Sequence, residues 1–234
     1  MAKRAKKAKR ARKSPAAPRG RTRSTQGAPT EAFMALLAER RFEEIGLAEV
    51  AMRADMSLSQ LRAAHGSTLA ILAAHIKEID RIVLDGGDAE GETARERLFE
   101  VLMRRIEALA PYKAAVRSLM SSARRSPGLA LALNSFGVRS QRWMLSAAGI
   151  DAAGPRGGLR AQGAAMMFAR VLWVWTEDDE PGLDRTMAAL DRGLASAERW
   201  SGFVDDLCAF PGCLARGARR RRPAREGAAE AEAA

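Results

Sequence analysis

Within the ten residues from Arg53 to Arg62 the chain sets Arg53, Ser57, Ser59, Gln60 and Arg62, around a turn at Asp55-Met56. Those side chains share one chemistry. Guanidinium and carboxamide groups make paired hydrogen bonds to the edges of bases, and hydroxyls bond phosphate oxygens. A second set is simpler: Lys3, Arg4, Lys6, Lys7, Lys9 and Arg10 open a run of eleven Lys/Arg residues before Ser24, with no acidic residue among them. Such a run neutralises a polyanion and releases its counterions, while carrying little sequence information. The third set is apolar. Met166, Met167, Phe168, Val171, Trp173 and Trp175 crowd one segment, and Met120, Phe136 and Trp143 stand on segments before it. Side chains of that bulk wall an apolar-ligand pocket or a subunit interface.

The charge balance has to be located before it is used. The chain has 39 Lys+Arg against 28 Asp+Glu, a net charge of +11. Besides the eleven basic residues before Ser24, six more (Arg216, Arg219, Arg220, Arg221, Arg222 and Arg225) lie near the other end, with Glu226, Glu230 and Glu232. Without those tails 22 basic and 25 acidic residues remain, so the body is slightly acidic. Tails of this composition cannot pack a core and read as disordered arms over 1–29 and 214–234.

Apolar content of 47% with few aromatics, carried by Ala, Leu and Met, favours helix, and no alternating Val/Ile/Thr/Tyr runs argue for strands. The expected fold is all-α. Enzyme chemistry finds little to stand on: there is no metal-ligand cluster, no nucleophile–base pair and no phosphate-cradling loop. Gly154-Pro-Arg-Gly157-Gly158 lacks the strand that a dinucleotide fingerprint needs in front of it. No enzyme, metal or cofactor is therefore expected. Cys208 and Cys213 read as free thiols in a reducing cytoplasm. The longest apolar run, Ala164 to Trp175, is cut by Arg170, and the N-terminus has no hydrophobic secretory segment. A cytoplasmic location follows as the expectation.

The elements that must hold these residues are legible from their periodicity. Thr30 offers an N-cap for a first helix with Phe33, Leu36 and Leu37 on one face and Phe42 at its end. Leu47, Val50, Ala51 and Ala54 repeat at helical spacing, and Asp55 stands where the turn wants a left-handed residue. Ser57 caps the next helix, whose Leu61 points back into the core. Ser67 opens a long helix through Leu69, Leu72, Ile76, Ile79 and Val83, broken by Gly86-Gly87-Asp88 to Gly91. Leu98, Val101, Leu102, Ile106 and Leu109 form the next face, up to Pro111. Further helices are expected at about 112–124, 127–147, 156–177 and 180–198, with Pro127, Pro155 and Pro181 at their starts, then a short one from Ser201 to Cys208. That is about nine helices: a head over 30–84, ending in a connecting helix, and a bundle over 92–208.

Residues 31–84 resemble the TetR family of transcriptional regulators. The resemblance is carried by Ala38-Glu39-Arg40, Phe42, Leu47, Val50-Ala51, Ala54 and Met56-Ser57. It implies a helix–turn–helix that binds operator DNA as a dimer, and a C-terminal bundle holding the dimer and an inducer pocket. The departures fall on the DNA-facing side. Typical members carry Lys after the turn serine and then a Leu-Tyr-x-His-Phe run; here Leu58 follows the serine, Leu61-Arg62-Ala63-Ala64-His65 replaces the run, and Thr68 stands in place of a later Lys.

The second half is also similar, in Ala110-Pro111-Tyr112, Arg142-Trp143-Met144, Trp175 to Leu183, Thr186-Met187 and Leu190-Asp191-Arg192, to the accessory proteins of ubiquinone biosynthesis. Those have a TetR-like fold and are regarded as lipid binders. Two readings result. The first is a homodimeric regulator of double-stranded DNA, tuned by an apolar small-molecule effector, with its arms supplying affinity. The second is a lipid or isoprenoid carrier whose head no longer reads DNA and whose arms touch an anionic membrane surface.

Overall fold

The computed structural model describes residues 27–197. Lys3, Arg4, Lys6, Lys7, Lys9, Arg10, both cysteines and the expected helix 201–208 lie outside the described residues. Eight helices follow one another: α1 (Gly27–Glu39), α2 (Leu47–Arg53), α3 (Leu58–Ala64), α4 (Thr68–Asp85), α5 (Ala94–Leu109), α6 (Lys113–Ala123), α7 (Pro127–Ala147) and α8 (Gly154–Thr176). A further helical stretch, 184–197, runs to the edge of the described residues, which contain no strand.

Local chemistry sets most of these boundaries. Ser67, Thr93 and Ser126 each cap a helix, accepting from the backbone N–H groups of Ala70, Glu96 and Leu129. Glu96 returns the favour to Thr93, closing a capping box. Asp55 takes the expected left-handed conformation, at φ 52°. Two expected starts are displaced. α1 already includes Gly27, the first described residue, so Thr30 is not its N-cap. Thr30 is thereby buried inside the helix. Pro181 does not open the last helix; it sits in a turn, and the helix starts at 184.

Two apolar clusters organise the molecule. The head core joins Phe33, Leu36 and Leu37 of α1 to Val50, Leu61, Ile71 and Leu72, and continues into Leu119 of α6 and Leu129 of α7. The bundle core joins Ile79 and Val83 of α4 to Leu102, Ile106, Met144, Phe168, Trp175, Leu190 and Leu194. Head and bundle are thus packed through α1 on α6 and through α4. The Phe42 N–H donates to Ser122 Oγ at 3.1 Å, and Ser118 Oγ donates to the Arg40 carbonyl at 2.7 Å.

One buried polar node ties α4 to the bundle. Asp80 of α4 accepts from the guanidinium of Arg105 on α5 and from Ser140 Oγ of α7, the latter at 2.6 Å. All three residues are buried. Removing the carboxylate strands a charge in the core, so Asp80→Ala should cost about 3–5 kcal/mol, visible as a lower urea midpoint. Asp80→Ala paired with Arg105→Leu should recover much of that loss. A double variant no better than the single one would show that a stranded charge is not the source of the loss.

Candidate nucleic-acid interface

α2, the Asp55 turn and α3 form a compact helix–turn–helix held on α1. Its buried contacts are Val50, Ala51 and Leu61. The opposite side of α3 is open, with Leu58, Ser59, Gln60, Arg62, Ala63 and Ala64 all exposed.

The side chains expected to act on DNA are not equally free. Ser57 is the N-cap of α3, and its Oγ accepts from the Gln60 N–H at 3.2 Å. Gln60 Oε1 in turn accepts from the Ser57 N–H at 2.8 Å, so these residues make a reciprocal capping box. The carboxamide oxygen of Gln60 is therefore committed to the fold, and its NH2 is the part left to offer. Ser57 Oγ also shares a hydrogen bond with Ser59 Oγ, 2.9 Å away. Arg53 is clamped on Glu39 of α1 through both guanidinium nitrogens, at 2.5 and 3.1 Å. That hydrogen-bonded guanidinium holds the Glu39 carboxyl below the usual carboxylate range. Arg62 differs from all of these: it is exposed and has no hydrogen bond or ion pair among the described residues.

One feature of this face was not among the sequence expectations, and another is now placed. Ser57-x-x-Gln60 is a legible capping-box signature, which would have assigned Gln60 a structural duty at once. Leu58, the departure at the first position of α3, is 55% exposed, so it is not a core residue displaced from elsewhere. It presents an apolar group beside the two serines.

The apolar residues expected to wall a ligand pocket or a subunit interface lie in three places. Phe168, Val171 and Trp175 are buried in the bundle core, with Met120 and Met167 packed against it. The broad apolar surface of α8 is thus not a pocket wall on this side: Ala161, Ala164 and Ala165 are small enough to let neighbouring helices close over it. Helix 184–197 comes so near that a Cβ on Gly193 would lie 2.7 Å from Met167 Cγ. Met166 and Trp173 face outward with Leu159, and Arg124 of α6 stacks over Trp173 at 5.0 Å. Phe136 and Trp143 belong to a third place, a cleft between α4 and α7.

The motifs of the second resemblance have structural work in this fold. Tyr112 Oη donates to Glu31 Oε1 at 2.7 Å, joining bundle to head. Asp178 Oδ2 accepts from both the N–H and the hydroxyl of Thr186, at 2.9 and 2.6 Å, anchoring the start of the last helix. Lys113 Nζ holds the same turn through the Asp178 carbonyl and Asp179.

His75 of α4 lies under the head with its ring 4.5 Å from that of Tyr112, edge to face. Burial, assisted by the charge of Arg105, lowers it from 6.5 to about 4. The unfolded chain therefore takes up this proton first as the pH falls. Stability should be intact above pH 6.5 and decline by about 3 kcal/mol in total toward pH 4, a window above that of most carboxylates. Burial lowers His65 as well, so it acts in the same direction. Urea midpoints at pH 7 and pH 5 should differ clearly in the native chain and much less in His75→Leu; an equal difference in both would remove His75 from the account.

No protein-family model matches the chain, and no curated protein matches it in sequence. Solved structures do. The chain is similar to the TetR transcriptional regulator from Nitrosomonas europaea, with 20% identity, 74% of this chain and 97% of that one covered, and a TM-score of 0.57. For the TetR transcriptional regulator from Rhodococcus sp. RHA1 the values are 20%, 75%, 96% and 0.55. For the TetR-family transcriptional regulator from Streptomyces coelicolor they are 16%, 85%, 90% and 0.51. The likeness spans head, connecting helix and bundle together, and at these identities it is a likeness of fold. The chain is built on the all-helical fold of the TetR-type transcriptional regulators.

Proposed function

We propose that this chain is a DNA-binding transcriptional regulator that works as a homodimer and answers to a small molecule. The observation that carries the reading is α3 itself: a well-capped helix whose exposed Arg62 has no partner among the described residues and lies on the face that a helix–turn–helix turns to the major groove. Arg62 suits the O6 and N7 acceptors of guanine, and Leu58 suits the methyl of thymine. Ser57 and Ser59 suit phosphate. Arg53 has a supporting role, fixing α2 on α1. The basic residues from Lys3 to Arg23 add affinity without selectivity. The outward stripe of α8, Leu159, Met166 and Trp173, supports dimerisation, since exposed apolar side chains recurring along one helix seek a partner.

Selection from a random-duplex pool tests this directly. A dimer of such heads should enrich a two-fold symmetric site with half-sites about one helical turn apart, containing G·C and A·T pairs at fixed positions. A pool that stays random after repeated rounds would refute the reading.

A further inference from the structure

The cleft between α4 and α7 has a composition that points to its ligand. Its volume is about 350 Å³, at the small end of small-molecule sites. Phe136 and Trp143 of α7 supply aromatic walls, Trp143 being 57% exposed, while Ala73 and Ala74 keep the α4 side low. Lys77 of α4 and Arg139 of α7 line the same cleft, and neither has a hydrogen bond or ion pair among the described residues. The carboxylate in the lining, Asp80, is already engaged by Arg105 and Ser140. Two cations line a shared space in which the lining carboxylate is already engaged, and with aromatic faces beside them they call for one kind of guest.

We propose that this cleft binds a small planar aromatic anion, its rings against Phe136 and Trp143 and its charge held by Lys77 and Arg139. Charge-assisted hydrogen bonds from a lysine and an arginine select the anion, and ring faces select a flat body over a flexible chain. The site bridges α4, which carries the head, and α7, which belongs to the bundle. A guest held by both would favour one setting of the head over another, provided its affinity differs between the two. This last step rests on the regulator reading; binding itself does not.

The test uses 2-naphthoate as probe with the full chain, by titration calorimetry. One saturable site is expected. The pair Lys77→Gln and Arg139→Gln, and separately Trp143→Ala, should each weaken it about tenfold or more, whereas Leu131→Ala, an exposed position of α7 outside the cleft lining, should leave it unchanged. These residues are on the surface, and circular dichroism checks that each variant remains helical. 2-Naphthylmethanol, with the rings but no charge, and decanoate, with the charge but no rings, should both bind at least about tenfold more weakly. Absence of saturable binding at millimolar probe, undiminished binding by the Lys77/Arg139 pair, or decanoate binding as tightly as naphthoate would each overturn the proposal. Repeating the DNA titration with the probe present separates the two claims. Naphthoate that binds in the cleft without changing DNA affinity leaves the site standing and removes its regulatory role.

Discussion

Removing residues 1–23 is expected to weaken binding to every DNA duplex by two or more orders of magnitude at moderate salt. The physical reason lies in where the charge sits. Ahead of α4 the described head carries Glu31, Glu39, Glu43, Glu44, Glu49 and Asp55 against Arg40, Arg41, Arg53 and Arg62. Two of those arginines are already engaged, Arg53 with Glu39 and Arg40 with Glu49 at 2.7 Å. A head of that balance attracts a phosphate backbone poorly by itself. The eleven cations before Ser24 are the obvious source of counterion release. Each phosphate neutralised contributes about 0.9 to the slope of log affinity against log salt. If half a dozen of the eleven make contact, the slope should flatten by about five on truncation. Fluorescence anisotropy of a labelled duplex over a salt series measures it. An unchanged slope would place the electrostatic contact elsewhere on the molecule.

Arg62→Ala is the second large effect, and it is of a different kind. The side chain is exposed and has no partner among the described residues, so its removal should leave the thermal midpoint unchanged. Affinity for the selected site should fall by about 1–3 kcal/mol, with affinity for unrelated duplexes falling much less. Changes at Gln60 should separate along another line. Gln60→Ala opens half of the capping box and should lower stability by about 0.3–1.5 kcal/mol. Gln60→Glu keeps the box, since a glutamate closes it equally well, but sets a carboxylate on the face meant for DNA. That variant should be as stable as the native chain and bind DNA poorly. If Gln60→Ala instead costs as much selectivity as Arg62→Ala at unchanged stability, the carboxamide reads bases after all. The box would then not hold in the complex.

Much of this was legible in the residues. The 3–4 spacing of apolar positions located most of the helices, and Asp55 marked the turn because few side chains tolerate a left-handed backbone. Ser57 and Ser67 announced their helices by capping chemistry that is local in sequence. What escaped was whatever depends on distance in the chain. Nothing near Arg53 says that Glu39, fourteen residues earlier, will take its guanidinium. Apolar periodicity on α8 could not say which of Met166, Met167, Phe168 and Trp173 would meet a neighbour, since α7 and the 184–197 helix decide that. The burial of Asp80 with Arg105 and Ser140 was equally invisible, for it joins three helices that are separate in sequence. Gln60 is the exception. Its local signal is present in Ser57-x-x-Gln60, where one carboxamide suits both a base edge and a helix cap.

On the proposed function, α3 reads sequence and the residues before Ser24 supply affinity alone. One comparison bears on this most directly: the ratio of affinities for the enriched duplex and a scrambled duplex, measured at one salt concentration for the full chain and for the chain without residues 1–23. Both chains should show the same ratio, well above one, with the absolute affinities of the shortened chain much lower. A full chain that binds the two duplexes alike, together with a shortened chain that binds neither, would mean that the head is not a reader.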